Sequence, residues 1–281
     1  MNILSLLQGG DPISVIIATL YRIPAVLIAL TLHELAHGYV ALKCGDPTAQ
    51  MLGRLSFNPL RHLDPLGALF MLIFGFGWAR PVPVNPRNFG KFRRDDLLVS
   101  LAGVTLNFIL FLFSMLVMVG INELLWSPAL WTDLGYFIDR QSFLSFNGLE
   151  FNALLSIDYQ TFYVNNNWTA RIGLYEFITS SYMSTPWLLH VQRFFMNFAS
   201  INLGLCLFNL LPIPPLDGYH VVNDIFLRGK LHIPAKVMNI IMFALFALMF
   251  FTNFLSNLLG NAIYFVQNGV LSGILWILGL G

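Results

Sequence analysis

The sequence predicts an all-α polytopic membrane protein. Of its 281 residues, 57% are hydrophobic and only 10% are charged, and the mean hydropathy is +0.70. A soluble domain carries about 25% charged residues, so this chain has too few charges for a surface that faces water throughout. The net charge of +1 provides no overall positive field of the kind that attracts nucleic acid.

Long apolar runs divide the chain into candidate membrane helices. A helix needs about 20 apolar residues to cross a bilayer. Five runs meet or approach this length: 13–43, 97–121, 195–212, 235–254 and 259–279. A sixth run, 64–78, is too short to cross ~30 Å comfortably at ~1.5 Å per residue, and we interpret it as re-entrant or interfacial. The sequence therefore predicts about five to six transmembrane helices.

A proline-rich segment follows the short apolar run. Residues 78–86 read WARPVPVNP, and their prolines exclude a helix and predict an extended edge strand. We therefore expect a small β or re-entrant segment here. The next residues are basic and indicate the cytoplasmic side, namely Arg87, Lys91, Arg93 and Arg94. The N-terminus shows neither a basic leader nor a small-residue cleavage site, so the first apolar run is expected to remain as a helix.

The pattern His33-Glu34-Leu35-Ala36-His37 lies near the end of the first apolar run. Two histidines four residues apart share one helix face and can bind one metal ion, and the glutamate between them can take a proton from water. The competing interpretation is a helix with two core histidines and an exposed glutamate. Ionisable side chains are costly in a membrane helix and usually functional, so three within one turn favour a zinc site.

Catalytic zinc usually has three protein ligands, so a third is needed. Asp217 is the best candidate, because the prolines just before it end the preceding helix and leave it at the mouth of that helix. The pair Asp217-Gly218 is equally compatible with a turn that exposes the carboxylate to solvent. His220 is a rival ligand or a hydrogen-bond donor to the site. Cys44 and Cys206 are better explained as small buried apolar residues.

The three proposed ligands must reach one depth on one side of the membrane. If the first predicted helix runs from outside to inside, the basic loop after it is cytoplasmic, the second helix exits and the third returns. Asp217 then lies on the cytoplasmic side with the histidines, and the acidic-leaning connection 122–194 lies outside. This requires that 64–78 does not cross. We expect an integral protein of a bacterial cell membrane whose site faces the cytoplasm.

The motifs resemble those of the site-2 protease family of intramembrane zinc metalloproteases. In family order over about 31–220 they are His33 to His37, Asn58-Pro59 with His62 to Pro65 and Gly67, Gly77 to Pro86, Ala102-Gly103 with Asn107, and Asn209 with Pro212 and Leu216 to Gly218. One departure is Val104, where the family usually has proline. The chain shows no evident PDZ-like or CBS-like insertion, and in this respect it resembles the compact branch of the family.

The resemblance implies an endopeptidase that hydrolyses peptide bonds in or near the transmembrane segments of membrane proteins. It implies Zn²⁺ held by His33, His37 and Asp217, with Glu34 as the general base. The partners implied are the lipid bilayer and transmembrane protein substrates, and no nucleic acid.

A substrate helix must unwind to be cut, and its exposed backbone then needs hydrogen-bond partners. The resemblance implies that Asn107 and Asn209 lie near the substrate peptide, although hydrogen bonding between membrane helices explains both residues equally well. Val82 and Val84 keep their N–H and C=O groups between prolines, and with period two these groups face one side. The edge that they form could pair with the substrate as an added strand.

We expect one integral-membrane protease domain with a three-helix catalytic core. Its parts are 13–121 and 195–220 as the core, 122–194 as an extracytoplasmic connection and 235–279 as C-terminal helices, within 1–281. The alternative is a metal-binding transport or sensor protein that does not hydrolyse. Glu34 discriminates between the two, because a pure binding site needs no base beside its ligands. Repeats of opposed topology, which are frequent in transporters, are not visible in the sequence.

Overall fold

The computed structural model describes residues 12–67, 79–134, 182–231, 233–252 and 254–279. Within these ranges the chain is mostly α-helical and contains no β-sheet. The helices are α1 (Pro12–Lys43), α2 (Thr48–Met51), α3 (Phe92–Leu125), α4 (Pro128–Leu134), α5 (Leu188–Asn209), α6 (Asp217–Ile225), α7 (Ala235–Phe251) and α8 (Phe254–Ile277). Short 3₁₀ turns lie at Pro59–Arg61 and Pro86–Asn88.

Three helices of the described chain are long and apolar enough to cross a membrane. They are Thr19–Lys43 within α1, Phe92–Leu125, which is α3, and Asn257–Ile277 within α8. The all-α membrane class is thereby confirmed. Helices α5 and α7 occupy the two other predicted runs. Polar residues such as Gln192 and Arg193 lower the hydropathy of α5, and the 17 residues of α7 extend only ~25 Å at ~1.5 Å each. A set of five to six spans stays a prediction.

The chain forms two compact units. The first comprises Met1–Phe111 and Asn197–Asn261, and the second comprises Leu112–Met196 and Ala262–Gly281. In the first unit, one core cluster contains Ala41, Phe89 and Val99, with Val40, Cys44 and Val84 packed against it. Another contains Leu216, Leu245 and Leu255, which brings the start of α6 against α7.

The predicted extended segment is not helical in its described part, residues 79–85. One antiparallel bridge joins Leu63 to Ala79, and the Arg80 N–H donates to His62 O at 2.7 Å. The Arg54 guanidinium donates to the carbonyl oxygens of Arg80 and Pro81 at 2.7 and 3.1 Å. No strand ladder forms within the described ranges, so the predicted β element is limited to this bridge. Trp78 and most of the apolar run 64–78 lie outside the described residues.

Buried Asp46 fixes the far end of the same segment. Its Oδ2 accepts the Asn85 N–H at 2.7 Å, and its Oδ1 accepts from the Asn88 amide at 2.7 Å and from Thr48. Burial alone would raise the pKa of the Asp46 carboxyl, but the hydrogen bonds from Thr48, Asn85 and Asn88 outweigh burial and lower it. The start of the segment is therefore bonded to residues that follow α2, and its end is bonded to Asp46 in the loop between α1 and α2.

The second unit joins the end of α3 to the start of α5. The Ser127 N–H donates to Tyr182 O at 2.7 Å, and the Ser184 N–H donates to Leu125 O at 2.8 Å. The Thr185 hydroxyl donates to Leu124 O at 2.7 Å. Most of the predicted polar connection, residues 135–181, lies outside the described residues.

Candidate metal centre

Three potential metal ligands converge in the first unit. His33 and His37 lie one turn apart on α1, and Asp217 is the first residue of α6. The two histidine Nε2 atoms are 3.0 Å apart, and Asp217 Oδ2 is 3.4 Å from each of them. In the part of the chain that the structure describes, these are the three side chains that group closely enough to hold a metal ion. The sequence had predicted the same three residues.

The spacing of these atoms fits zinc. Zinc bonds imidazole nitrogen and carboxylate oxygen at about 2.0–2.2 Å, so neighbouring ligand atoms on a tetrahedron lie roughly 3.4 Å apart. Apart from the two histidine nitrogens, buried Asp217 Oδ2 has no partner in the described structure. A buried carboxylate oxygen without donors is costly unless a cation lies beside it. Two imidazoles and one carboxylate also form a ligand set of catalytic zinc.

Helix α3 orients both imidazole rings. His37 Nδ1 lies 2.7 Å from Val99 O, so Nδ1–H donates there and the Nε2 lone pair stays free for a metal. His33 Nδ1 lies 3.1 Å from the Asn107 side-chain amide, and the other amide atom, buried Oδ1, has no partner. A half-turn of that amide places Oδ1 as the acceptor of His33 Nδ1–H, which satisfies Oδ1 and frees His33 Nε2. Fully buried Asn107 thus contacts a proposed ligand.

Gly103 allows α3 to lie against the two histidines. A Cβ atom at this position would overlap His37 Nε2 and the His33 ring. The sequence motif contained Gly103, but the reason for glycine becomes visible only in the structure. Val104 next to it is buried in the middle of α3. Helix α3 begins at Phe92 and continues through Val104, where the family usually has proline.

We expect Gly103→Ala to weaken zinc binding by about 10–100-fold, because the added methyl group displaces the imidazoles from Asp217. Gly120→Ala on the same helix is the matched control, since a Cβ there meets nothing within 4 Å. Zinc affinity measured by chelator competition should separate the two variants. Equal affinities would show that the approach of α3 does not set the ligand geometry.

The start of α6 directs Asp217 toward α1. Helix α5 ends at Asn209, and Gly218 lets α6 begin close to the end of α5, because a Cβ there would overlap the backbone of Leu210 and Leu211. Burial alone would raise the pKa of the Asp217 carboxyl, but the two histidines outweigh burial and lower it below its usual range. The alternative of a turn with a solvated carboxylate is wrong, because Asp217 belongs to a helix and its side chain is 20% exposed.

His220 does not join the candidate ligands. Its Nδ1 lies 3.1 Å from Asp96 Oδ2, and Asp96 together with the Coulombic influence of nearby carboxylates raises the pKa of His220. Asp224, on the same helix, is buried, and Arg93 donates to its backbone oxygen at 2.7 Å. Burial and the neighbouring carboxylate of Asp96 raise the pKa of Asp224 to about 6. These contacts fasten α6 to the start of α3.

We expect Asp224→Asn to stabilise the protein near neutral pH. The pKa of Asp224 is about 6 in the folded protein, above the ordinary ~3.9. The folded state therefore favours the protonated acid. Its contribution to stability is fully present below pH ~3.9 and is lost as the pH rises through about 6. Asparagine resembles the protonated acid, so the melting temperature should rise by a few degrees (about 2–4 °C per kcal/mol) at pH ~8 and should be unchanged at pH ~4. A thermal melt at both pH values checks this; a gain of equal size at both would contradict it.

Glu34 is half-buried, and its Oε2 accepts a hydrogen bond from the Val82 backbone N–H at 2.7 Å. Gly38, one turn later on α1, makes room for Leu55 and Val82, because a Cβ at Gly38 would meet Leu55 Cδ2 at 2.5 Å and Val82 Cγ1 at 2.9 Å. Sequence reasoning did not assign a role to Gly38 or to Arg54. An isolated glycine inside a helix usually has a packing reason, which is the signal that could have identified Gly38.

The remaining predicted residues have simpler surroundings. Asn209 is half-buried at the last position of α5. Val84 is half-buried and packs against the Ala41 cluster. Cys44 joins the same cluster and Cys206 is buried, in agreement with the prediction that both are apolar packing residues.

One apolar helix carries the HExxH motif, and a carboxylate far along the chain lies next to its two histidines. This combination is typical of the class of membrane metalloproteases. The model of peptidase family M50 matches residues 21–252, and the chain belongs to this family. It is 35% identical over 209 residues to YwhC of Bacillus subtilis, covering 74% of this chain and 70% of that protein. It is 27% identical over 151 residues to Rip2 of Mycolicibacterium smegmatis, covering 51% and 55%. Both relatives are named as candidate zinc metalloproteases.

No solved structure matches the chain. The family membership confirms the predicted resemblance and the prediction of a zinc metalloendopeptidase of membranes. The alternative of a transport or sensor protein without hydrolytic activity is therefore set aside.

Proposed function

We propose that this protein is an intramembrane endopeptidase that cuts peptide bonds in or near the transmembrane segments of membrane proteins. The observation that supports this best is that Asp217 meets His33 and His37, which lie beside Glu34 on a helix apolar enough to span a bilayer. His33, His37 and Asp217 hold zinc, and Glu34 is the general base.

The chain's own residues supply the proton transfers. Bound zinc provides the positive charge that polarises the scissile carbonyl and acidifies water. Glu34 takes the proton from the attacking water and gives it to the leaving nitrogen, so the carboxylate is restored at the end of each cycle. Val99 O and Asn107 hold the two imidazoles in the tautomer that leaves Nε2 for the metal.

The substrate is bound as an unwound, extended peptide. The segment 79–85 offers backbone groups for pairing. Val82 and Val84 are the residues that keep an N–H between prolines, and the Val82 N–H already donates to Glu34. Asn209 is a further candidate for a hydrogen bond to the peptide backbone. For Asn107, the contact with His33 supports a role in holding that ligand.

The proposed topology is one protease domain, 1–281, with five to six spans in a bacterial cell membrane. The connection 122–194 lies outside, and the catalytic residues face the cytoplasm. Single cysteines at Arg87 and Asn166, in a protein without Cys44 and Cys206, test this with a membrane-impermeant thiol reagent on whole cells. We expect labelling at 166 and none at 87, and the reverse pattern would contradict the topology.

Cleavage itself is tested with a panel of purified single-span membrane proteins in detergent. Wild-type protein is incubated with each, beside Glu34→Gln and beside wild type treated with a zinc chelator. We expect fragments only with untreated wild type, and mass spectrometry of these fragments gives the cleavage sites. Fragments of the same mass and yield in all three samples would come from a contaminating protease and would contradict the proposal.

A further inference from the structure

The backbone amide of Val82 has a partner before any substrate arrives. Its N–H donates to Glu34 Oε2 at 2.7 Å, and the Val82 residue is only 6% exposed. A charge-assisted hydrogen bond of this length is among the stronger ones, and one N–H makes one such bond at a time. A substrate carbonyl could therefore use this donor only by displacing the carboxylate of the proposed base.

The surroundings of Val82 hold its N–H toward Glu34. Arg54 binds the two preceding carbonyl oxygens, those of Arg80 and Pro81, with one guanidinium nitrogen. The absence of a side chain at Gly38 allows Val82 to lie directly against the helix that carries Glu34. These contacts fix the backbone on both sides of the Val82 amide, which is the arrangement expected of a donor that orients a carboxylate.

Val84 differs from Val82 in this respect. Arg80 donates its N–H to His62 O, prolines 81 and 83 have none, and Asn85 donates to Asp46. Among the described residues, the Val84 N–H has no hydrogen-bond partner. Residues 82 and 84 are two apart, so their N–H groups emerge from the same edge of an extended segment. Within the described ranges, an amide without a partner thus lies two residues from the amide that donates to Glu34.

We propose that the two valines divide the work: the Val82 N–H is a positioning group that orients Glu34 throughout the reaction, and Val84 is the residue of this segment that pairs with the substrate backbone. The second half of this inference rests on the proposed function. The first half concerns only the chain itself. Glu34 then keeps its orientation while the peptide binds one residue further along the same edge.

Steady-state kinetics separates the two roles. The probe is a synthetic single-span polypeptide whose apolar segment is interrupted by Asn-Pro and carries a fluorophore and a quencher. Val82→Pro should lower kcat by about 10²-fold, as expected for a misplaced catalytic group, with KM nearly unchanged. Val84→Pro should raise KM by about tenfold, as expected for one lost hydrogen bond, with kcat nearly unchanged. Equal increases in KM for both variants would overturn the division of roles.

Proline also restricts the residue before it, so a second substitution isolates the donor. Replacing Val82 by its α-hydroxy analogue exchanges the N–H for an ester oxygen and keeps the side chain. This variant should reproduce the kcat loss of Val82→Pro. Gly38→Ala should also lower kcat, because the added methyl group would overlap the side chains of Leu55 and Val82 and crowd the segment that carries the donor. Wild-type kcat in the ester variant would overturn the positioning role.

Selective labelling reports both amides without relying on activity. The dipeptide Pro-Val occurs in this chain only at 81–82 and 83–84. Protein labelled with ¹³C-carbonyl proline and ¹⁵N-valine therefore gives two amide signals in a carbonyl-edited NMR spectrum. Glu34→Ala should shift the Val82 signal and speed its hydrogen exchange, Glu34→Gln should preserve both, and the Val84 signal should stay in place.

Adding the synthetic polypeptide to the Glu34→Gln protein completes the test. The Val84 signal should shift and become protected from exchange, while Val82 does not change. A polypeptide-induced shift of Val82 together with faster exchange would mean that the substrate displaces residue 34, and would overturn the inference. If wild type cuts no polypeptide at all, the proposed function fails, and the response of Val82 to Glu34→Ala still confirms or refutes the positioning role.

Discussion

Glu34→Gln is expected to lower the turnover of membrane-protein substrates by about 10²–10⁴-fold while zinc stays bound, because the loss of a general base typically costs that much. Glu34 neighbours His33 in sequence but does not belong to the group of potential ligands, so its removal leaves two imidazoles and one carboxylate for the metal. Glutamine keeps the size of the side chain and can still accept the Val82 N–H. The substitution therefore removes the capacity to take a proton and little else.

The measurement combines turnover with metal content on the same preparation. Glu123→Gln is the matched control, since it makes the same chemical change at an exposed position near the end of α3. Turnover should fall only in Glu34→Gln, and zinc should stay near one equivalent per chain in both. Turnover in Glu34→Gln within a factor of two of wild type would refute the role of Glu34 as base.

Asp217→Ala is expected to lose most of its zinc, with activity falling in proportion. The carboxylate Oδ2 is buried 3.4 Å from both histidine nitrogens, and removing it leaves two imidazoles, which are too few for a catalytic zinc site. The double substitution His33→Ala/His37→Ala should empty the site completely. A zinc content near one equivalent per chain in the double variant would mean that the metal binds elsewhere.

Asp217→Cys distinguishes a ligand from a residue that only supports the fold. A thiolate is a good zinc ligand, so cysteine at this position should restore much of the zinc content that alanine loses. Asp224→Ala on the same helix is the control for a lost carboxylate that lies outside the ligand group. If Asp217→Cys and Asp217→Ala lose zinc equally, Asp217 acts through the fold rather than through the metal.

Much of the candidate site could be predicted because its chemistry is local. The spacing of His33 and His37 follows from helix geometry alone. Asp217 could be reached from a distant part of the sequence by a topological argument, since the number of crossings determines on which side of the membrane each loop lies. The helical, membrane-bound class followed from composition and from the length of the apolar runs.

The contacts that orient these residues were not predictable in the same way. The bond between His37 and Val99 O joins residues 62 apart, and no periodicity indicates which carbonyl of α3 will face α1. The reason for glycine at position 103 likewise appears only once two helices are close. The residues alone left Asp217 open between a metal ligand and a turn with a solvated carboxylate, because the Asp-Gly pair is a common turn signal. In the structure, Gly218 instead allows a close backbone approach.

The segment 79–85 shows a similar limit. Its prolines correctly excluded a helix in residues 79–85, whereas a shared edge for Val82 and Val84 stays a prediction. The sequence could not indicate that one of the two amides is already bonded to Glu34, because that bond joins residues 48 apart through a backbone donor. Backbone donors carry no residue signature, so only the path of the chain reveals them.

The proposed hydrolysis of peptide bonds within membrane segments is tested most directly by cleavage of a purified single-span membrane protein in H₂¹⁸O, with the masses of both fragments measured. We predict that the new carboxyl terminus carries one ¹⁸O atom, lies in or next to the apolar segment, and is absent with Glu34→Gln. Fragments that end only in the water-exposed parts of the substrate, or that form equally with Glu34→Gln, would contradict the claim.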